Sequence, residues 1–301
     1  MRLFLYCTYV PASEFVEVAV EAERLGFDGI SLPDHLVYPV NHTSPYPYTI
    51  DGTTPWSETM DWPDPFATLG AIASRTERLE LLTGVLVLPL RHPLAVAKAT
   101  ATIDVISGGR MNLGIGVGWL REEYEALGLD WSKRGAMTNE SIEVLRRAWT
   151  GERVEHHGDH FDFDQLTVRP PAKHHIPIYV GGKSRAAIRR AGTLGDGFLP
   201  PIGAGSDLSE TKQLIEEVNE VRRTAGRAAE PFDVMASATV SRSAEELGEV
   251  EEIGITSVRV DPFALYVQKY GGLTLDQRLE AVGRYAEDVI APLRSDARRN
   301  G

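Results

Sequence analysis

Short apolar runs alternate eight times with amphipathic stretches in this chain, and glycines punctuate the joins. The apolar runs fall at Arg2–Thr8, Gly29–Pro33, Leu79–Leu88, Met111–Val117, Ile176–Gly181, Gly197–Pro200, Phe232–Val240 and Ser257–Asp261. Most lack strict in–out alternation, the pattern of strands covered by helices on both faces. Helical stretches follow at Ser13–Leu25, Pro65–Arg75, Pro93–Ser107, Arg121–Leu127 with Thr138–Thr150, Ser184–Thr193, Leu208–Thr224, Ala244–Ile253 and Thr274–Leu293. Ser13, Asp64 and Ser243 stand where side-chain caps open helices. Gly26, Gly108, Gly151 and Gly254 stand just past helix ends. Eight such units predict a (β/α)8 TIM barrel, read as a single domain over residues 1–301. The rival is a doubly wound open sheet. No G-x-G-x-x-G follows the first strand, which counts against its dinucleotide-binding version.

Two segments exceed a minimal barrel. Residues 37–61 are rich in Pro, Tyr, Thr and Trp and follow the second strand, where a long loop serves as a lid or substrate wall or is simply variable surface. Residues 152–171 alternate Val154, Phe161, Phe163, Leu166 and Val168, a hairpin pattern with Gly158-Asp159 at its turn.

Composition narrows the class of function. A net charge of −12 argues against a nucleic-acid or anionic-membrane surface. Cys7 is the only cysteine, so no intrachain disulfide forms, in keeping with a reducing, cytoplasmic setting. The apolar start stops at Pro11 and lacks a cleavage pattern, and no run approaches the length of a spanning helix.

In a parallel α/β protein the strand carboxyl ends face the site. Asp34-His35 ends the second strand. An imidazole there can donate a hydrogen bond or pass a proton, or serve only as a structural residue. Thr83-Gly84-Val85 puts a glycine inside a strong strand, which marks a bulge, close approach of a ligand, or packing. Gly114, Gly116 and Gly118 alternate along the fourth strand, clearing one face for a ring or another backbone. Gly181-Gly182-Lys183-Ser184 runs from a strand end into a helix start, where free N–H groups and Lys183 favour a phosphate. Arg91-His92-Pro93 is left open between a cofactor tail and an interface. His156, His157, His160, His174 and His175 are concentrated around the hairpin rather than on strand ends, so no metal is expected.

The ordered set Asp34-His35, Thr83 to Pro89, Ile103 to Met111, Gly114-Ile115-Gly116-Val117-Gly118-Trp119 and Gly195-Asp196-Gly197-Phe198 resembles the bacterial luciferase-like superfamily. More closely, it resembles the branch of oxidoreductases that depend on the deazaflavin coenzyme F420. The likeness runs from Arg2 to about Leu293. It implies a flavin-like ring in the barrel mouth, backed by a bulge whose Gly84–Val85 peptide is cis. Asp34, Gly84, Val85, Gly116, Val117 and Gly118 would contact this ring. Gly181, Gly182, Lys183 and Ser184 would hold its phosphate. His35 would be catalytic, facing the reacting carbon and a small organic substrate. Homodimers are common in that family. Where the sugar-phosphate dehydrogenases of the branch carry a glutamate, this chain has Trp119, which suggests a more apolar pocket. Glu122 or Glu123 could stand in for that acid only weakly. Trp56 and Trp119, with Tyr46, Tyr48 and Trp62, are the expected substrate-covering residues. The alternative within the same fold is a monooxygenase using reduced FMN and oxygen.

Overall fold

The computed structural model describes residues 1–49, 51–200, 208–237, 243–267 and 272–299, with side chains described only as far as residue 295 in the last segment. Ten strands are present among them: β1 Arg2–Tyr6, β2 Gly29–Leu32, β3 Glu80–Val87, β4 Met111–Gly116, β5 Val154–His157, β6 Asp162–Leu166, β7 Ile178–Gly181, β8 Gly197–Leu199, β9 Asp233–Ser237 and β10 Ser257–Val260. Eight of them close a parallel barrel in the order β1-β10-β9-β8-β7-β4-β3-β2, and β5 pairs antiparallel with β6 outside it. The expected (β/α)8 barrel and hairpin are therefore present.

The helices are α1 Phe15–Arg24, α2 Pro65–Ala73, α3 Pro93–Ser107, α4 Arg121–Ala126, α5 Arg134–Ala148, α6 Arg185–Leu194, α7 Leu208–Thr224, α8 Ala244–Glu252, α9 Pro262–Tyr266, α10 Leu275–Tyr285 and α11 Ala291–Arg299. A π-helical turn, Ala286–Ile290, joins the last two. Asp64 and Ser243 cap α2 and α8 as read from sequence. Ser13 does not cap α1: Glu14 occupies that position and no side chain bonds the free N–H groups. The expected end of the seventh barrel strand beyond Ser237, at residues 238–240, lies outside the described residues.

The barrel interior is layered. At its amino-terminal end Arg2 bonds both carboxylate oxygens of Glu80 at 2.9 and 2.8 Å and also pairs with Asp233, while Tyr179 Oη donates to Asp233 at 3.0 Å. Phe4, Leu82, Tyr179, Leu199 and Met235 fill the middle. Ser31, Gly84, Ser237 and Arg259 lie above, toward the mouth. The helices pack on the outer faces of the strands, burying Ile30, Leu81, Leu113, Ile178 and Val258 completely. Such burial contributes about 1.5–3 kcal/mol for each large side chain.

Candidate active site

The glycines of β3 and β4 are explained by one irregularity. The β3–β4 register slips between Thr83 and Leu86, so Gly84 and Val85 form a bulge, and the Gly84–Val85 peptide is cis. A Cβ at Gly114 would come within 2.1 Å of the Thr83 carbonyl oxygen. One at Gly116 would meet a Val85 methyl at 2.9 Å, and one at Gly118 would meet a Val87 methyl at 2.7 Å. A Cβ at Gly181 would lie 3.2 Å from the other Val85 methyl. Gly114 and Gly116 therefore make room for the bulge, and Gly118 makes room for Val87. Their consequence at the mouth is Val85, the one residue between Leu81 and Leu90 that is not buried.

Asp34 follows β2 with its side chain fully buried, and its carboxylate is already engaged. Arg91 grips both oxygens at 2.7 and 2.8 Å, and the Val87 N–H donates at 3.0 Å. Burial pushes the Asp34 carboxyl above its ordinary value, against the pull of the Arg91 guanidinium. The structure thus makes Asp34 an anchor that ties β2 to the bulged end of β3. Arg91 is its partner.

His35 points the other way. Its Nδ1 lies 3.2 Å from Oε2 of Glu123 on α4, a carboxylate whose side chain is only 2% exposed. The same carboxylate accepts the Leu36 N–H at 2.6 Å and the Val37 N–H at 3.2 Å. A carboxylate accepts only, so it assigns the Nδ1 proton and leaves Nε2 as the variable edge of the ring. The neighbouring Glu122 accepts from Thr43 N and Ser44 N at 2.6 and 3.0 Å. Burial opposes its charge, but those N–H groups and the Ser44 hydroxyl outweigh it and hold the carboxyl down to about 2. Two consecutive glutamates of α4 therefore clamp the start of the long loop.

Between β2 and α2 the described residues contain no helix or strand, only a loop whose rings gather over His35. The His35 ring lies 5.5 Å from Trp56, 5.0 Å from Trp62 and 6.0 Å from Trp119, centroid to centroid. Tyr46 meets Trp56 and Trp119 edge-on at 4.9 and 5.2 Å. Edge-to-face pairs of this kind are worth about 0.5–1.5 kcal/mol each beyond area burial. Trp62 Nε1 is buried there without a hydrogen-bond partner among the described residues. Trp56 and Trp119 are thus brought together with His35.

At the β7–α6 junction Gly182 has φ +116°, open to glycine alone, and Ser184 caps α6 by accepting from Ala187 N at 3.2 Å. Lys183 pairs with Glu210 of α7 at 3.0 Å, and both side chains are about half exposed. This ion pair is exposed and worth about 1 kcal/mol or less. Among the described residues no three His, Cys, Asp or Glu side chains cluster as a metal site. His156 binds Glu140 at 3.0 Å, His157 binds Asp162 at 2.6 Å and His175 binds Asp196 at 3.3 Å. A cleft of about 330 Å³, lined by Lys212, Ile215, Phe232 and Ile253, lies on the outer wall between α7 and α8, away from His35.

Sequence reading missed Arg259, the one arginine of β10, although a charge between Val258 and Val260 was the signal available. It mentioned Glu123 without assigning it. The pairing with His35 could not be read from residues 88 positions apart.

Comparison with known proteins agrees with this architecture. The family model for luciferase-like monooxygenases matches residues 6–261. An uncharacterized protein of Mycobacterium tuberculosis is 32% identical over 92% of this chain and 94% of its own length. The F420-dependent glucose-6-phosphate dehydrogenase of Segniliparus rotundus is 35% identical over 76% of this chain but only 64% of its own length. Among solved structures, the coenzyme F420-dependent tetrahydromethanopterin reductase of Methanopyrus kandleri superposes with a TM-score of 0.73, at 17% identity, over 97% of this chain and 99% of that one. With the bulged third strand and the Asp34–His35 strand end in place, this chain belongs to the luciferase-like monooxygenase family.

Proposed function

We propose that this chain is an oxidoreductase that uses coenzyme F420 to move a hydride to or from a small organic substrate held under the aromatic loop. The observation that carries the reading is the His35–Glu123 pair, set at the barrel mouth beneath Trp56, Trp62 and Trp119. The residues fit the group: Val85 emerges from the bulge as a partly exposed apolar prop, and Gly182 and Lys183 stand at a helix start suited to a phosphate. When bound, the deazaflavin supplies two-electron hydride chemistry.

The chain's own residues would do the rest. Glu123 fixes the His35 ring and its tautomer, so Nε2 is free to hold or release a proton at the substrate oxygen. The orphaned Trp62 N–H is a second donor for that oxygen. The tryptophans exclude water, which protects a hydride and strengthens both hydrogen bonds. Asp34 acts through Arg91 and Val87 N–H by fixing the bulge, rather than by touching the ring. Trp119 and its aromatic neighbours favour an apolar carbonyl or alkene over a sugar phosphate. A homodimer in the cytoplasm is part of the same reading. No helix among the described residues is long and apolar enough to cross a membrane.

The test is anaerobic oxidation of reduced F420 with a panel of ketones, aldehydes and activated alkenes. Turnover that needs no oxygen and falls at least 100-fold in His35→Ala supports the reading. Oxygen-dependent turnover with reduced FMN, and none with F420, would favour the family's monooxygenase chemistry instead.

A further inference from the structure

Arg259 carries its charge inside the barrel and, among the described residues, has no acid to answer it. Its side chain rises from β10 into the layer just above Phe4 and Met235, and the residue is only 8% exposed. One guanidinium nitrogen donates to the Gly84 carbonyl oxygen at 2.8 Å and another to Ser237 Oγ at 2.6 Å, both neutral acceptors. Nε is buried with no partner among the described residues. Ser31 Oγ, also buried and unpartnered, lies beside the same glycine: a Cβ on Gly84 would be 2.0 Å from it and 2.9 Å from the Arg259 nitrogen. Among the described residues no carboxylate pairs with Arg259, and the groups that act on its charge are the phenols of Tyr6 and Tyr48. Arg190 and Arg222 also end on neutral acceptors, but they belong to the outer helices.

A buried, unpaired cation is strongly disfavoured, and a neutral side chain of similar volume would serve the fold as well or better. Retaining the charge at the mouth therefore needs an anion that arrives with a ligand. We infer that Arg259, with Ser31 and Ser237 beside it, is an anion-holding floor for the barrel mouth, which takes a planar, delocalised oxyanion. This rests on the proposed function only for the source of that anion. It comes from the cofactor ring itself, which would make Arg259 the charge that tunes it, or from a carboxylate on the substrate.

Titrations followed by tryptophan fluorescence test this, using wild type, Arg259→Met and Arg259→Lys, with F420 and separately with benzoate. Arg259→Met is expected to be at least as stable to urea as wild type. A ring source weakens F420 binding at least tenfold in Arg259→Met, alters the ionised fraction seen in the visible spectrum of the bound cofactor, and leaves Arg259→Lys intermediate. A substrate source leaves F420 unchanged and weakens benzoate at least tenfold. Unchanged binding of both, or lower urea stability in Arg259→Met with unchanged binding, overturns the inference and makes Arg259 a structural support of the bulge. If wild type fails to bind F420, the proposed function falls, and the benzoate titration still decides the anion site.

Discussion

Replacing Arg91 by methionine isolates the buried anchor of the site. In the wild type the fully buried Asp34 carboxylate receives two N–H bonds from Arg91, at 2.7 and 2.8 Å, and one from Val87 at 3.0 Å. Methionine keeps most of the volume but leaves the carboxylate with the Val87 N–H alone. An exposed pair would be worth about 1 kcal/mol or less, whereas removing one partner of a buried pair costs about 3–5 kcal/mol, so Arg91→Met is expected near the latter. The remaining charge escapes by protonation. In the variant, burial raises the folded-state value of Asp34 above its unfolded value of about 3.9. The penalty is therefore full above the folded value and shrinks as pH falls toward the unfolded one. Urea unfolding at pH 8 and pH 5 measures this, with the slope m checking that the denatured state is unchanged. The double variant Asp34→Asn/Arg91→Met, which removes both charges and keeps an acceptor for Val87, is expected to recover most of the loss. A loss below about 1 kcal/mol, or a penalty equal at both pH values, would refute the assignment of a buried, engaged charge.

Other outcomes follow from the same geometry. Glu123→Gln puts an N–H₂ against His35 Nδ1 and reverses the tautomer; turnover is expected to fall about 10²–10⁴-fold with cofactor affinity kept within a few-fold, measured by steady-state kinetics and titration. Asp261 is 3% exposed, and burial raises its carboxyl to about 6 despite the N–H groups of Ala264 and Phe263. Its ionisation therefore opposes folding increasingly from about pH 4 and fully above about pH 6, so Asp261→Asn, which keeps the cap on α9, should gain up to about 3 kcal/mol at pH 8 and nothing below pH 4, read by thermal unfolding. Gly114→Ala should cost well over about 1 kcal/mol, because its Cβ would meet the Thr83 carbonyl at 2.1 Å and backbone gives little, whereas Gly70→Ala, with nothing within 4 Å in the middle of α2, should gain about 0.5–1 kcal/mol. Denaturant midpoints for the pair decide it.

The barrel was legible because helix stops and strand starts are local signals: Gly108 takes φ +74° at the end of α3, and Asp64 bonds Ala67 N at the start of α2. The strand ends proposed to form the site were legible for the same reason. What each residue does there was less so. Gly116 reads as space for a ring, yet its neighbour is Val85 across the strand, a contact that depends on the β3 bulge. Asp34 reads as a ring contact, and its carboxylate is gripped by Arg91, 57 positions away. Such pairings are tertiary and leave no periodicity. Arg259 is the opposite case, a charge between two valines that sequence displays plainly but whose isolation from the carboxylates of the described residues only the folded barrel reveals.

The central claim, a deazaflavin site at this barrel mouth, is tested most directly by parallel fluorescence titrations of the purified protein with F420 and FMN. The account predicts micromolar F420 binding that quenches the tryptophans around His35, with FMN much weaker. Tight FMN binding together with weak or absent F420 binding would contradict it.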